Sequence, residues 1–115
     1  INTEGSATIY STSSDYRLKE DIVEMQDSIS KVQSLKPVNF AWKLDGTRVD
    51  GFLAHEAQEV VPAAVTGTKD AVDEDGQPDY QGIDQSKLVP LLTKALQEAL
   101  TKIESLEARV AALES

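Results

Sequence analysis

The sequence predicts an α+β fold: a small antiparallel sheet with short helices, followed by a long C-terminal helix of coiled-coil character. Three observations carry this prediction. From Leu92 to Leu113 the apolar residues recur in alternating steps of four and three, a heptad seam. Between Pro37 and Ile83 lie short alternating runs separated by Gly, Pro and Asp, which suits strands of a few residues. The other helical stretches are short and end at prolines.

Taken in order, Ala7, Ile9 and Ser11 alternate with Thr8, Tyr10 and Thr12 and suit a short strand with too little apolar surface to stand alone. Leu18, Ile22, Met25, Ile29 and Val32 form a helical stripe. Asp27-Ser28 also suits the cap of a shorter helix over Ser28 to Leu35, leaving Arg17-Leu18-Lys19-Glu20-Asp21-Ile22-Val23 extended; the shorter helix is the favoured reading. Pro37 ends it either way. Residues 37–43 read as an aromatic strand, Asp45-Gly46 as a turn, and Val49 to Leu53 as the partner strand. His55 to Val61 reads as a short helix stopped by Pro62, Ala63 to Thr68 as a strand, and Tyr80 to Ile83 as a last strand. Between them lies a loop carrying Asp70, Asp73, Glu74, Asp75 and Asp79.

The long helix is predicted from Ser86 to the end, with Pro90 in or near its first turn. Its a positions are Leu96, Ile103 and Val110, and its d positions Leu92, Ala99, Leu106 and Leu113. Lys102 with Glu107 and Arg109 with Glu114 make attractive g–e pairs in a parallel coil. Too little apolar sequence remains to cover this seam from within, so self-association is the favoured reading over intrachain packing. The heptads alone leave the number of strands open: Ile or Val at a with Leu at d favours dimers, while Leu100 at e widens the face towards more strands.

Composition narrows the function classes. The chain of 115 residues suits one small domain with a modest core, which association would help. A net charge of −9 with scattered Lys and Arg argues against nucleic-acid binding. No stretch approaches the ~20 apolar residues of a membrane span. The absence of cysteine removes disulfides and thiolate metal sites. His55-Glu56 begins like the zinc motif H-E-x-x-H but lacks the second histidine; a structural helix is the favoured reading. The acidic loop resembles a calcium loop only at Asp73, Asp75 and Gly76, with Ala71 and Gly82 where acids are needed, so a solvated turn is expected. Phe40, Trp42 and Phe52 read as core packing. No cofactor is called for.

The informative stretch for chemistry is S-S-D-Y-R-L-K-E-D-I, residues 13–22. A serine hydroxyl needs a base to act as nucleophile, and a lysine amine serves when a dry site lowers its pKa. Ser–Lys pairs are a recognised variant of serine-protease chemistry. The spacing of Ser14 and Lys19 by itself decides nothing.

Four blocks in order do more: that stretch, then L-K-P-V-N-F-A-W-K (35–43), D-G-F-L-A-H-E-A-Q-E-V-V-P (50–62) and L-V-P-L-L-T-K-A-L-Q-E-A-L (88–100). Together they resemble the peptidase S74 family, the C-terminal intramolecular chaperone domains of phage tail fibres, tail spikes, neck appendages and endosialidases, with a related domain in myelin regulatory factor. The resemblance runs from about residue 5 to 105. It implies Ser14 as nucleophile, Lys19 as base and Ser14–Asp15 as the scissile bond. Attack by Ser14 on its own carbonyl passes through a strained ring; a shift at Ser13–Ser14 is sterically easier, and Ser13 is a rival nucleophile. Asp15, Arg17 and Glu20 are in reach to orient the pair, without assigned roles.

The resemblance further implies a homotrimer. Residues 1–14 would be the end of an upstream fibre or spike domain of the same chain, 15–85 the globular part of the chaperone and 86–115 the oligomerising helix. The implied function is to align three fibre chains and then release itself by a single-turnover cut in cis. Assembly would take place in the host cytoplasm, with the fibre going to the virion tail and the chaperone left behind. Two alternatives stand: a permanent trimerisation module that never cuts, and the release domain of a membrane-tethered transcription factor. Neither a nucleic acid nor a membrane is expected as a partner of this segment.

Overall fold

Asp45 and Gly46 shape the first element of tertiary structure. The Asp45 carboxylate accepts the Thr47 N–H at 2.9 Å, and Gly46 takes φ +75° while its N–H reaches the Trp42 carbonyl at 2.8 Å. This turn joins β1 (Val38–Ala41) to β2 (Arg48–Gly51), antiparallel, with Val38 opposite Gly51 and Phe40 opposite Val49. Gly51 leaves room for the Phe40 ring, which a β-carbon there would meet at 3.0 Å. These facts come from a computed structural model that describes residues 14–115. The strand expected at Ala7–Ser11, the rival nucleophile Ser13 and all but the last residue of the upstream segment 1–14 lie outside the described residues.

The shorter of the two helices weighed for residues 15–36 is the one observed: α1 spans Ser28–Ser34. Asp27 precedes it but makes no side-chain cap; it adopts φ +62° and offers its carbonyl to the Lys31 N–H. Asp is one of the few side chains that tolerates this left-handed geometry. The expectation of an extended Arg17–Val23 needs one correction. Tyr16–Leu18 form a single 3-10 turn, after which Lys19 is extended and Asp21 takes a left-handed φ of +53°.

The core forms where α2 (Ala54–Val60) meets the residues on either side of the acidic loop. Ala57, Ala64, Val65 and Leu88 are buried together, with Phe52, Ala54, Val61 and Ile83 packed around them. Pro62–Ala64 is a 3-10 turn, so the strand expected over 63–68 shrinks to β3 (Val65–Thr66). It pairs antiparallel with β4 (Gly82–Ile83), the remnant of the strand expected from Tyr80. The sheet is thus two separate two-stranded pieces. The acidic loop closes on itself as the sequence suggested: Asp73 accepts the N–H groups of Asp75 at 2.8 Å and Gln77 at 3.0 Å. Among the described residues no cluster of His, Cys, Asp or Glu could hold a metal ion.

Asp84 caps a 3-10 turn over Gln85–Leu88, accepting from the Ser86 N–H at 3.1 Å, and that turn leads into α3 (Val89–Glu114), with Pro90 in the first turn where a missing N–H costs little. Helix α3 has two fates along one axis. Its first turns bury Leu91 and Ala95 against the domain, where α1 packs on it. From Leu100 onward every residue is exposed. The heptad residues Leu96, Ile103, Leu106 and Val110 are each more than half exposed, and Leu113 is 86% exposed. The radius of gyration of 19.7 Å, against roughly 13 Å for a compact domain of about this length, reflects the projecting helix.

The aromatic expectation is corrected in part. Phe52 packs on the core, but Trp42 is 55% exposed and meets Phe40 edge-on, with ring centroids 4.9 Å apart, on the hairpin's outer surface. The hairpin is too thin to bury an aromatic pair from both sides.

Candidate active site: a serine and a lysine on one turn

The site is built within six consecutive residues. Asp15 is the N-cap of the 3-10 turn: its Oδ1 accepts the Arg17 backbone N–H at 2.8 Å. The turn closes with Leu18 N–H on the Asp15 carbonyl (3.0 Å) and Lys19 N–H on the Tyr16 carbonyl (3.1 Å). Arg17 folds back over its own cap, donating Nε to Asp15 Oδ1 at 2.9 Å and Nη2 to Oδ2 at 2.8 Å. This guanidinium is the main reason the Asp15 carboxyl sits below the usual carboxylate range, and the carboxylate in turn raises the Arg17 pKa.

A chain reversed by such a turn brings residues five apart together. Lys19 Nζ donates a hydrogen bond to Ser14 Oγ at 2.7 Å. The two residues that the S-D-x-R-x-K pattern singles out are therefore in contact. That is the distance at which a neutral amine could take the hydroxyl proton. Both are exposed in the single chain.

The surroundings are apolar and open. Tyr16, Leu18, Ile22 and Val23 are each at least 72% exposed, an unusual concentration next to a polar pair. The extended segment behind the turn is tied to α3 at two points. Glu24 Oε2 accepts from Lys94 Nζ at 2.7 Å, which lowers the Glu24 pKa and raises that of Lys94. Four residues on, the buried Ser28 hydroxyl donates to the Glu98 carboxylate. Sequence reasoning missed both tethers, although Lys94 and Glu98 are four apart on one helical face and so offered a signal.

His55 is placed elsewhere. It sits in the first turn of α2 and lines a cleft of about 440 Å³ under the loop from Thr68 to Gln81. Glu56 of the same helix meets Lys36 at 3.7 Å, a structural link from α2 to the end of α1.

Residues 14–66 match the model of the Peptidase_S74 family, described as chaperone of endosialidase. Over this stretch the chain is similar to the Peptidase_S74 family. The matched stretch begins at Ser14 and includes Lys19, α1, the β1–β2 hairpin, α2 and β3. Three of the four sequence blocks lie wholly or almost wholly within it; the block at 88–100, which opens α3, lies beyond it. No curated protein matches the chain.

Proposed function

We propose that this chain is a Peptidase_S74 domain and acts as the self-cleaving intramolecular chaperone of a phage tail fibre or tail spike. Three copies associate through α3 and align the upstream segments, and each copy then cuts its own chain at Ser14. The observation that carries the reading is the 2.7 Å contact between the Lys19 amine and the Ser14 hydroxyl at the head of the family match. The unpaired seam of α3 supports association. Fully burying one Leu, Ile or Val contributes roughly 1.5–3 kcal/mol, and this seam holds six such side chains in the open: Leu92, Leu96, Ile103, Leu106, Val110 and Leu113.

The steps follow from the chemistry of the pair. In the exposed pair the amine donates to Ser14, which is a resting arrangement. Association covers Tyr16, Leu18, Ile22 and Val23, drives water from the pair and favours the neutral amine. Lys19 then accepts the Ser14 hydroxyl proton as the oxygen attacks the carbonyl carbon of Ser14 itself, closing a strained four-membered ring. The Ser14–Asp15 C–N bond breaks, the proton passes to the departing Asp15 nitrogen, and water hydrolyses the resulting ester to leave a Ser14 carboxylate. One water is consumed and Lys19 is regenerated. Aligning three chains before their long-range contacts form is an entropic cost that a C-terminal trimer offsets by raising local concentration. Once the helper is removed, the fibre stays locked by slow unfolding.

Denaturing electrophoresis with intact-mass measurement tests this. The wild-type chain is expected to yield residues 15–115, while Ser14→Ala and Lys19→Ala stay whole; a fragment beginning at Ser14 would move the cut to Ser13–Ser14. The exposure of the pair favours one second reading, a permanent trimerisation module. It predicts only full-length chain from associated wild-type protein.

A further inference from the structure

We propose that Arg17 is a positioning residue which, through Asp15, holds the Lys19 amine on the Ser14 hydroxyl; this rests on the self-cleavage reading above. Among the described residues little else holds the turn. Tyr16–Leu18 bury no residue, and every residue from Ser14 to Asp27 is exposed, so core packing does not fix this stretch. Its two backbone hydrogen bonds are those of a single 3-10 turn, and an isolated turn orders several dihedrals for too few bonds to persist in water.

The Asp15 carboxylate supplies what is missing. One oxygen accepts the Arg17 backbone N–H and so closes the turn. The guanidinium grips both oxygens and fixes the carboxylate in the orientation that makes this bond. A planar guanidinium can do so bidentately; an ammonium cannot. The clamp lies wholly between Ser14 and Lys19 in the chain, so it sets the reach from one to the other. Arg17 has a second effect through charge. Asp15 adjoins Ser14, and an unpaired carboxylate there would favour the charged form of the amine, which is the wrong state for a base. Glu20 and Asp21 follow Lys19 and act on it alike with or without Arg17.

The test is the first-order rate of self-cleavage of the whole 115-residue chain across neutral and alkaline pH, for wild type, Arg17→Gln and Arg17→Lys. Association is measured on the same samples by size-exclusion chromatography. Both variants should associate like wild type and cut roughly ten- to a hundredfold more slowly, the cost of a misplaced catalytic group. In Arg17→Gln the midpoint of the rate–pH curve should also move to higher pH. Arg17→Lys keeps the charge without the fork, so it should shift less but remain slow. A wild-type rate and midpoint in Arg17→Gln would overturn the proposal, as would full rescue by Arg17→Lys. Loss of association in the Arg17 variants, when Ser14→Ala still associates, would assign Arg17 to the fold instead and overturn it too. A wild-type chain that never cuts is a different result, visible before any variant is made, and it would remove the self-cleavage reading itself.

Discussion

The two ends of α3 are made of the same kinds of residue and meet different fates. Near its start, Leu91 and Ala95 are buried, on the helix against which α1 packs. Further along, Ile103, Leu106 and Val110 stand half in solvent, with none of the described residues covering them. The N-terminal segment resembles the far end: Leu18, Ile22 and Val23 are exposed beside the Ser14–Lys19 contact. The domain centre is complete within one chain, whereas the helix end and the reactive turn carry apolar surface that a lone chain leaves wet. Where apolar side chains lie open beside a group that needs a dry site, a second and third copy of this chain are the proposed source of the missing wall.

Substitutions can sharpen or break that contrast. The largest effect is expected at the reactive turn, where Ser14→Ala or Lys19→Ala should reduce self-cleavage below detection in the associated protein, since a general base alone contributes about 10²–10⁴-fold. Next comes the open seam. Ile103→Asp should abolish association, measured by light scattering, and slow the cut with it, while leaving the circular dichroism of the single chain intact. If Ile103→Asp instead unfolds the monomer, the two ends of α3 are not the separate regions described here.

Of intermediate size is Leu91→Ala, which empties a site that is 3% exposed. It should destabilise the domain by about 2–5 kcal/mol in chemical denaturation. Leu106→Ala, the same change in the open region, should leave an unassociated chain within about 0.5 kcal/mol of wild type.

The smallest effect belongs to the Glu24–Lys94 tether. The Glu24 pKa is lowered by Lys94, so its contribution is present above the unfolded carboxyl value and is lost as pH falls through the lowered folded one. Lys94 is raised by Glu24, so its contribution is present below the ordinary lysine value and is lost as pH rises through the raised one. Glu24→Gln should therefore flatten a slight acid-side and alkaline-side softening of the segment, read as faster amide exchange over residues 19–27, without changing the global midpoint. Surface pairs of this kind contribute little, and salt should weaken the tether further.

The sequence was legible wherever one residue pattern dominated. The heptad seam announced α3, Asp45-Gly46 the hairpin turn, and Pro37 and Pro62 the ends of α1 and α2. It was less legible where tertiary packing decided. Pro62–Ala64 tighten into a 3-10 turn because Ala64 is drawn into the core, which leaves β3 only two residues. Trp42 looked like core from its type alone, but a two-stranded hairpin offers no second layer to cover it. At the site, the residue types of the S-D-x-R-x-K stretch pointed to Ser14 and Lys19, but not to the turn that joins them. That turn is capped by Asp15, onto which Arg17 folds back, a contact within two residues that no apolar periodicity reveals.

The central claim is that the Ser14–Lys19 pair becomes competent only when neighbouring copies cover it. Freshly refolded chain can be separated by size into associated and single-chain fractions, and the intact mass of each followed with time. The account predicts residues 15–115 and the released N-terminal peptide accumulating with first-order kinetics in the associated fraction, and full-length chain persisting in the dilute single-chain fraction. Equal cutting rates in the two fractions, or an associated fraction whose backbone stays whole, would contradict it.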